Sequence, residues 1–229
     1  MAKKAHFTPR LFQFFEELKV NNNKEWFTAN KKRFEQDVRD PCLQFVVDFA
    51  TVLPGISPHY VADPRPNGGS IFRINRDIRF ANDKSPYKTN AGVHFKHEAG
   101  KDVHAPGFYL HLQPGEVFGG VGLWKPEPDS LGKIRDAIAA NSPKWQRVKQ
   151  DALFTKNFKL EGESLSRPPK GYAPDHPQIE DIKRKDFLVS RQFTVEETCA
   201  PGFIDKYAEM CRQSAPLMEF LTTAVGLPW

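Results

Sequence analysis

Ala91-Gly-Val-His-Phe-Lys-His97 and Phe108-Tyr-Leu-His-Leu112 decide the fold. Ala91, Val93 and Phe95 alternate with His94 and Lys96, and Phe108, Leu110 and Leu112 alternate with Tyr109 and His111. A period of two places one set on a buried sheet face and the other on its opposite. Upstream, Ser70–Arg76 has the same form, with Phe72 and Ile74 against Arg73 and Asn75. Downstream, Gln113-Pro-Gly-Glu116 is a turn and Val117–Trp124 a return strand. Gly119, Gly120 and Gly122 in that strand mark a bulge or the close approach of another backbone. Four strands joined by short links predict an antiparallel meander. Phe72, Ile74, Val93, Phe95, Leu110 and Leu112 are expected to face helices, including the one that carries Ile134 and Ile138.

Helical spacing flanks this region on both sides. Thr8-Pro9 opens a helix with Leu11, Phe14, Phe15 and Leu18 on one face. Asn23 caps a second, carrying Trp26, Phe27, Phe34 and Val38, and Asp40-Pro41 either kinks it or starts a third with Phe45, Val46, Phe49 and Leu53. Helical aromatics at this spacing read as core. Pro54–Gly69 reads as loop. After the sheet, Leu131, Ile134 and Ile138 share a face, Ser142-Pro143 caps a segment with Trp145 and Val148, and 158–174 is irregular. Ile179 and Ile182 suggest a short helix, Phe187–Phe193 a further strand, and Pro201–Ala224 helices interrupted near Pro216. Helices, then a sheet, then helices define an α+β chain, read as one domain over 1–229 with a central antiparallel sheet packed by N- and C-terminal helices.

Composition narrows the function classes. With 39% hydrophobic and 27% charged residues, the 229-residue chain can bury a sizeable core. No run approaches the ~18 apolar residues of a membrane span. No apolar stretch of the signal-peptide kind follows Met1-Ala-Lys-Lys-Ala-His6. Cys42, Cys199 and Cys211 are odd in number and lack CxxC spacing, which argues against a disulfide framework or a zinc knuckle and favours a reducing cytoplasm. A net charge of +5 permits phosphate or nucleic acid as a partner without demanding either. Lys183-Arg184-Lys185 is too short for a nucleic-acid patch, so binding to DNA or RNA is expected to be weak or absent. Gly119-Gly-Val-Gly122 is not a dinucleotide loop, and neither a P-loop nor a GxSxG elbow is present.

The chemistry-bearing segment is Ile71-Phe-Arg-Ile-Asn-Arg-Asp-Ile-Arg-Phe-Ala-Asn-Asp-Lys-Ser-Pro-Tyr-Lys-Thr89. Arg73, Arg76, Arg79, Lys84 and Lys88 stand there against only Asp77 and Asp83. Guanidinium forks on a strand end and its loop suit phosphate or carboxylate oxygens. Tyr87 would orient such a ligand, and Asp77 would position an arginine or act as a base. The alternative is a structural network in which Asp77 and Asp83 pair with the arginines and pin the loop. His94, His97, His104 and His111 form a second cluster, with His94 and His111 as candidate cross-strand partners. They show neither HxH nor HExxH spacing, so neither a metal nor a cofactor is expected.

Several stretches resemble one family. They are Phe72-Arg-Ile-Asn-Arg-Asp77 with Arg79-Phe80, Asp83-Lys-Ser-Pro-Tyr-Lys-Thr89, Asn23-Lys-Glu-Trp-Phe27, Phe108-Tyr-Leu-His-Leu-Gln-Pro-Gly-Glu116, Lys170-Gly-Tyr-Ala-Pro-Asp-His-Pro177 and Lys185-Asp-Phe187. Together they are similar to domain of unknown function 2461, found in bacteria and some fungi, and the resemblance spans nearly the whole chain. It implies a single domain of this fold class and supplies no activity. The functional expectation therefore rests on segment 73–88, as a site for a small anionic ligand or for phosphate-handling or hydrolytic chemistry. Its rival is a non-catalytic module for nucleic acid or a protein partner.

Overall fold

The alternation between residues 91 and 124 becomes the centre of a five-stranded antiparallel sheet. A computed structural model describes residues 4–100 and 106–229. Its first helices are α1 (Pro9–Val20), α2 (Lys24–Ala29) and α3 (Lys31–Phe34). From α3 the chain passes through one π-helical turn, Glu35–Arg39, into α4 (Asp40–Phe49). A proline has no amide to donate and its ring crowds the carbonyl four residues back. The wide turn just before Pro41 lets the helix continue where the sequence suggested a kink or a new start. The strands are β1 (Tyr60–Val61), β2 (Ala91–His97), β3 (Gly107–Gln113), β4 (Glu116–Leu123) and, after α5 (Pro128–Ala140), α6 (Ser142–Gln150), α7 (Ala152–Asn157) and α8 (Ile179–Ile182), β5 (Phe187–Phe193). The chain closes with α9 (Val195–Cys199), α10 (Phe203–Gln213) and α11 (Ala215–Ala224). Strand order follows the chain, β1-β2-β3-β4-β5.

Register sorts the side chains. Val93 pairs with Leu110 and Leu110 with Gly119, while Phe95 pairs with Phe108, Phe108 with Val121 and Val121 with Val189. This face is buried against helices. Phe49 of α4 lies 4.6 Å from Phe95, and Tyr207 of α10 lies 5.2 Å from Phe49. Ile134 and Ile138 join the same core, as do Cys42 and Cys211. At Gly119 a Cβ would come within 2.4 Å of Met210 Sδ, so this glycine lets α10 approach the sheet. Gly122 (φ +122°) holds a backbone that L side chains rarely adopt, and a Cβ there would lie 2.1 Å from the Phe187 carbonyl oxygen.

Two readings of the sequence are corrected. Residues 70–76 do not form a strand, and β1 comes instead from the proline-rich stretch taken as loop. The Ile71↔Val93 bridge and two backbone bonds, Phe72 N to Gly92 O (2.9 Å) and His94 N to Ser70 O (2.7 Å), attach the segment to β2 for three residues. It then leaves β2 and pairs with its own continuation, through Arg76 N to Pro86 O (2.9 Å) and Lys88 N to Ile74 O (2.8 Å). Because Ile71 is opposite Val93, its neighbour Phe72 lies on the other side of the sheet, beside His94 and Tyr109, and does not face the helices.

The packing at Gly122 yields a paired expectation. Gly122→Ala should lose about 2–4 kcal/mol, because strain and a backbone clash coincide where neither partner can move. Gly132→Ala, inside α5 with open space around it, should gain about 0.5–1 kcal/mol from helix propensity. Urea denaturation of both variants checks the contrast.

Candidate functional site

Beyond Ile74 and Pro86 the basic segment is a loop held by its own charges. Asp83 accepts from Ser85 N (2.8 Å) and Ser85 Oγ (2.6 Å) and pairs with Arg76. The Ser85 hydroxyl and then the Arg76 guanidinium hold the Asp83 carboxyl far below the usual carboxylate range. Asp77 accepts from Arg79 Nε (3.0 Å) and Nη2 (2.7 Å), and this fork lowers its pKa as well. Lys84 Nζ donates to Ile78 O (3.1 Å). Arg76, Asp77, Arg79 and Lys84 are thus occupied in closing the loop. The two acids form ion pairs with Arg76 and Arg79, and the Arg73 charge acts on Asp77 without pairing with it.

Tyr87, Arg73 and Lys88 lie at the base. The Tyr87 ring is only 8% exposed and stacks on Phe27 of α2 at 4.1 Å and 21°. Asn22 grips the Tyr87 backbone in both directions, its Nδ2 donating to Tyr87 O (2.9 Å) and its Oδ1 accepting from Tyr87 N (3.1 Å). Residue 87 therefore bolts the segment to the N-terminal helices. Lys88 follows it, half-buried, with Nζ 5.3 Å from the centre of the Phe72 ring. Burial lowers the Lys88 ammonium below its ordinary range, and the Arg73 charge lowers it further. Neither Arg73 nor Lys88 forms an ion pair among the described residues. Glu98 is bonded to His59 (2.7 Å), and Asp102 lies outside the described residues.

Phe72 leads from these cations to the sheet face away from the helices. Its ring lies 5.8 Å from His94 and 5.9 Å from Tyr109, and Tyr109 OH lies 3.0 Å from His111 Nδ1. His111 in turn stacks on Phe118 of β4 at 4.8 Å and 15°. The register sets His94 opposite Tyr109 and His111 opposite Gly92. The two histidines are therefore diagonal, linked through Tyr109 rather than directly paired as the sequence suggested. Two glycines make room for polar atoms: a Cβ at Gly92 would fall 2.7 Å from Tyr109 OH, and one at Gly107 2.2 Å from His94 Nε2. Among the described residues His94 Nδ1 is buried without a hydrogen-bond partner, and the His111 ring, held at Nδ1 by Tyr109, also interacts with the Gln113 side chain. A buried polar atom left unpaired costs on the order of 1–3 kcal/mol in the folded state. His97 belongs to the helix face, with Nε2 2.8 Å from Pro228 O, and His104 lies outside the described residues. Among the described residues no group of three or more His, Cys, Asp or Glu side chains is arranged to hold a metal. Sequence reasoning missed Tyr109, Phe72 and Phe118. The signal available for the first was its place between two histidines on the outward positions of adjacent strands.

The model of a family described as "Conserved hypothetical protein (DUF2461)" matches residues 10–220. No curated protein matches the chain. No helix among the described residues is long and apolar enough to cross a membrane.

The state of His94 is testable. Burial, reinforced by the Lys96 charge, pushes its pKa down to about 4. The unfolded chain takes up a proton near pH 6.5 that the folded chain refuses, so stability falls as pH drops from about 6.5 to about 4. The contribution is on the order of 3 kcal/mol at most. His94→Gln should flatten that part of the stability profile relative to the parent protein, measured by thermal melts across this pH window.

Proposed function

Because the chain belongs to this conserved hypothetical family, whose description assigns no activity, we propose a function from the site alone: binding of a small anionic ligand, phosphate- or carboxylate-bearing, by Arg73 and Lys88. One observation carries the proposal. Arg76 and Arg79 are ion-paired and Lys84 donates to Ile78 O, whereas Arg73 and Lys88 have neither an ion pair nor a side-chain hydrogen bond among the described residues, and the Arg73 charge adds to burial in lowering the Lys88 ammonium. Two like charges held together beside an apolar ring are poised for an anion that relieves their repulsion. Arg76, Asp77, Arg79 and Lys84 shape the loop, and Tyr87 fixes its base. For that outer loop the structural reading is the better one, because its acids and arginines satisfy each other. The buried thiols of Cys42 and Cys211 favour a reducing compartment, and we place the protein in the cytoplasm on that ground.

Calorimetric titration with inorganic phosphate, pyrophosphate and citrate tests the proposal. Arg73→Ala and Lys88→Ala should each weaken binding about tenfold or more, as expected for losing a charge-assisted hydrogen bond. Arg79→Ala should change it by no more than about threefold. No binding by the parent protein, or equal losses in all three variants, refutes the assignment.

A further inference from the structure

We propose that the sheet face beside Arg73 and Lys88 receives a planar heteroaromatic ring, so that the ligand is a mononucleotide: its phosphate on the two cations, its base over β3 and β4. The inference rests on the anion-binding reading and extends it to a ligand class.

Continuity is the first ground. Lys88 reaches Phe72, Phe72 reaches His94 and Tyr109, and Tyr109 reaches His111 and Phe118, each step a ring contact of about 5–6 Å or a hydrogen bond. A ligand with a phosphate at one end therefore meets aromatic faces at the other. Hydrogen bonding is the second. His94 Nδ1 is buried and unpartnered among the described residues, while the Tyr109 hydroxyl occupies His111 Nδ1 and the Gln113 side chain interacts with the same ring. A nucleobase edge carries donors and acceptors that could meet His94 Nδ1, whereas an apolar ring would leave it unsatisfied. Shape is the third. Gly120 lies beside Tyr109 and Phe118, and a Cβ there would find its nearest neighbour at 3.6 Å, so the strand backbone forms a low floor next to two rings. The half-buried His111–Phe118 stack offers a flat π-surface at that floor. Charge is the fourth. His94 is neutral near pH 7, and burial lowers the pKa of His111 as well, so this end of the site suits an uncharged ring and not a second anion. Two unpaired cations match one phosphate group. A polymer would demand a longer basic track.

The full chain is titrated calorimetrically with AMP, GMP, CMP, UMP, ribose 5-phosphate, inorganic phosphate and a short single-stranded oligonucleotide. At least one nucleoside monophosphate should bind about tenfold or more tightly than ribose 5-phosphate, the gain expected from stacking one base. Phe118→Ala should reduce that ligand to the affinity of ribose 5-phosphate and leave phosphate binding unchanged. Phe118→Leu, which keeps the packing volume without the aromatic face, should do the same if the parent circular dichroism spectrum is retained. Lys88→Ala should weaken every phosphorylated ligand. If phosphate and ribose 5-phosphate bind but no base adds affinity, the ring inference is wrong and the anion site stands. If nothing phosphorylated binds, both fail. An oligonucleotide bound more than about tenfold tighter than every mononucleotide overturns the small-molecule assignment.

Discussion

Everything distinctive about this molecule depends on how the outer edge of β2 is satisfied. β1 pairs only with Lys96 and His97, so most of a seven-residue strand would otherwise present unpaired backbone groups. Buried amides and carbonyls need partners. Residues 70–72 supply them, through Ser70 O and the Phe72 amide. The attachment is short because the same chain must then turn and pair with residues 86–88. Those few hydrogen bonds put Phe72 over the outer sheet face, set Lys88 above Phe72, and leave the loop between them to close on its own ion pairs.

Two kinds of buried polar group can be told apart here. Asp181 is buried but satisfied, accepting from Trp145 Nε1 (2.8 Å) and Lys149 Nζ (2.6 Å). Asp186 is buried and accepts from the amides of Lys125 (2.7 Å) and Glu163 (3.1 Å), tying the loop after β4 to the chain before β5. Both act as fasteners. His94 is the opposite case, with Nδ1 withdrawn from water, unmatched among the described residues, and on the sheet face beside Phe72 and Lys88. Unmatched atoms also occur elsewhere, at His6 Nδ1 and Gln178 Oε1 for example, so it is the position of His94 on one face with Phe72 and Lys88 that marks the candidate site.

Much of the architecture was legible in the sequence because period-two and helical patterns depend on neighbours a few positions apart. Val93, Phe95, Leu110 and Leu112 face the helices as their alternation indicates, Ile179–Ile182 is a short helix, and Phe187–Phe193 is the fifth strand. Features set by distant partners were not legible. Tyr60–Val61 is a strand only because the end of β2 is beside it, and nothing in a proline-rich stretch signals that. Phe72 alternates correctly but belongs to the other face, since a bridge to Val93 fixes its side. Tyr87 read as a residue that orients a ligand, and the ring it stacks on, Phe27, lies sixty residues away in the chain. The ion pairing of Asp77 and Asp83 was readable as one of two alternatives because those acids sit within a few positions of their arginines. The sequence could not reveal which cations they would leave over.

The opposite edge of the sheet carries a consequence of its own. Glu161 reaches β5 from the irregular stretch before it: its amide donates to Leu188 O (2.8 Å), and its carboxylate accepts from Ser190 N (3.2 Å) and Ser190 Oγ (2.7 Å). One acidic residue thus occupies a β5 carbonyl and a β5 amide, and it sets a negative charge where another strand would have to dock. A five-stranded antiparallel sheet is a natural template for edge-to-edge association and fibrillar growth. Here Glu161 caps part of β5, and residues 70–72 cover part of the β2 edge that the two-residue β1 leaves open.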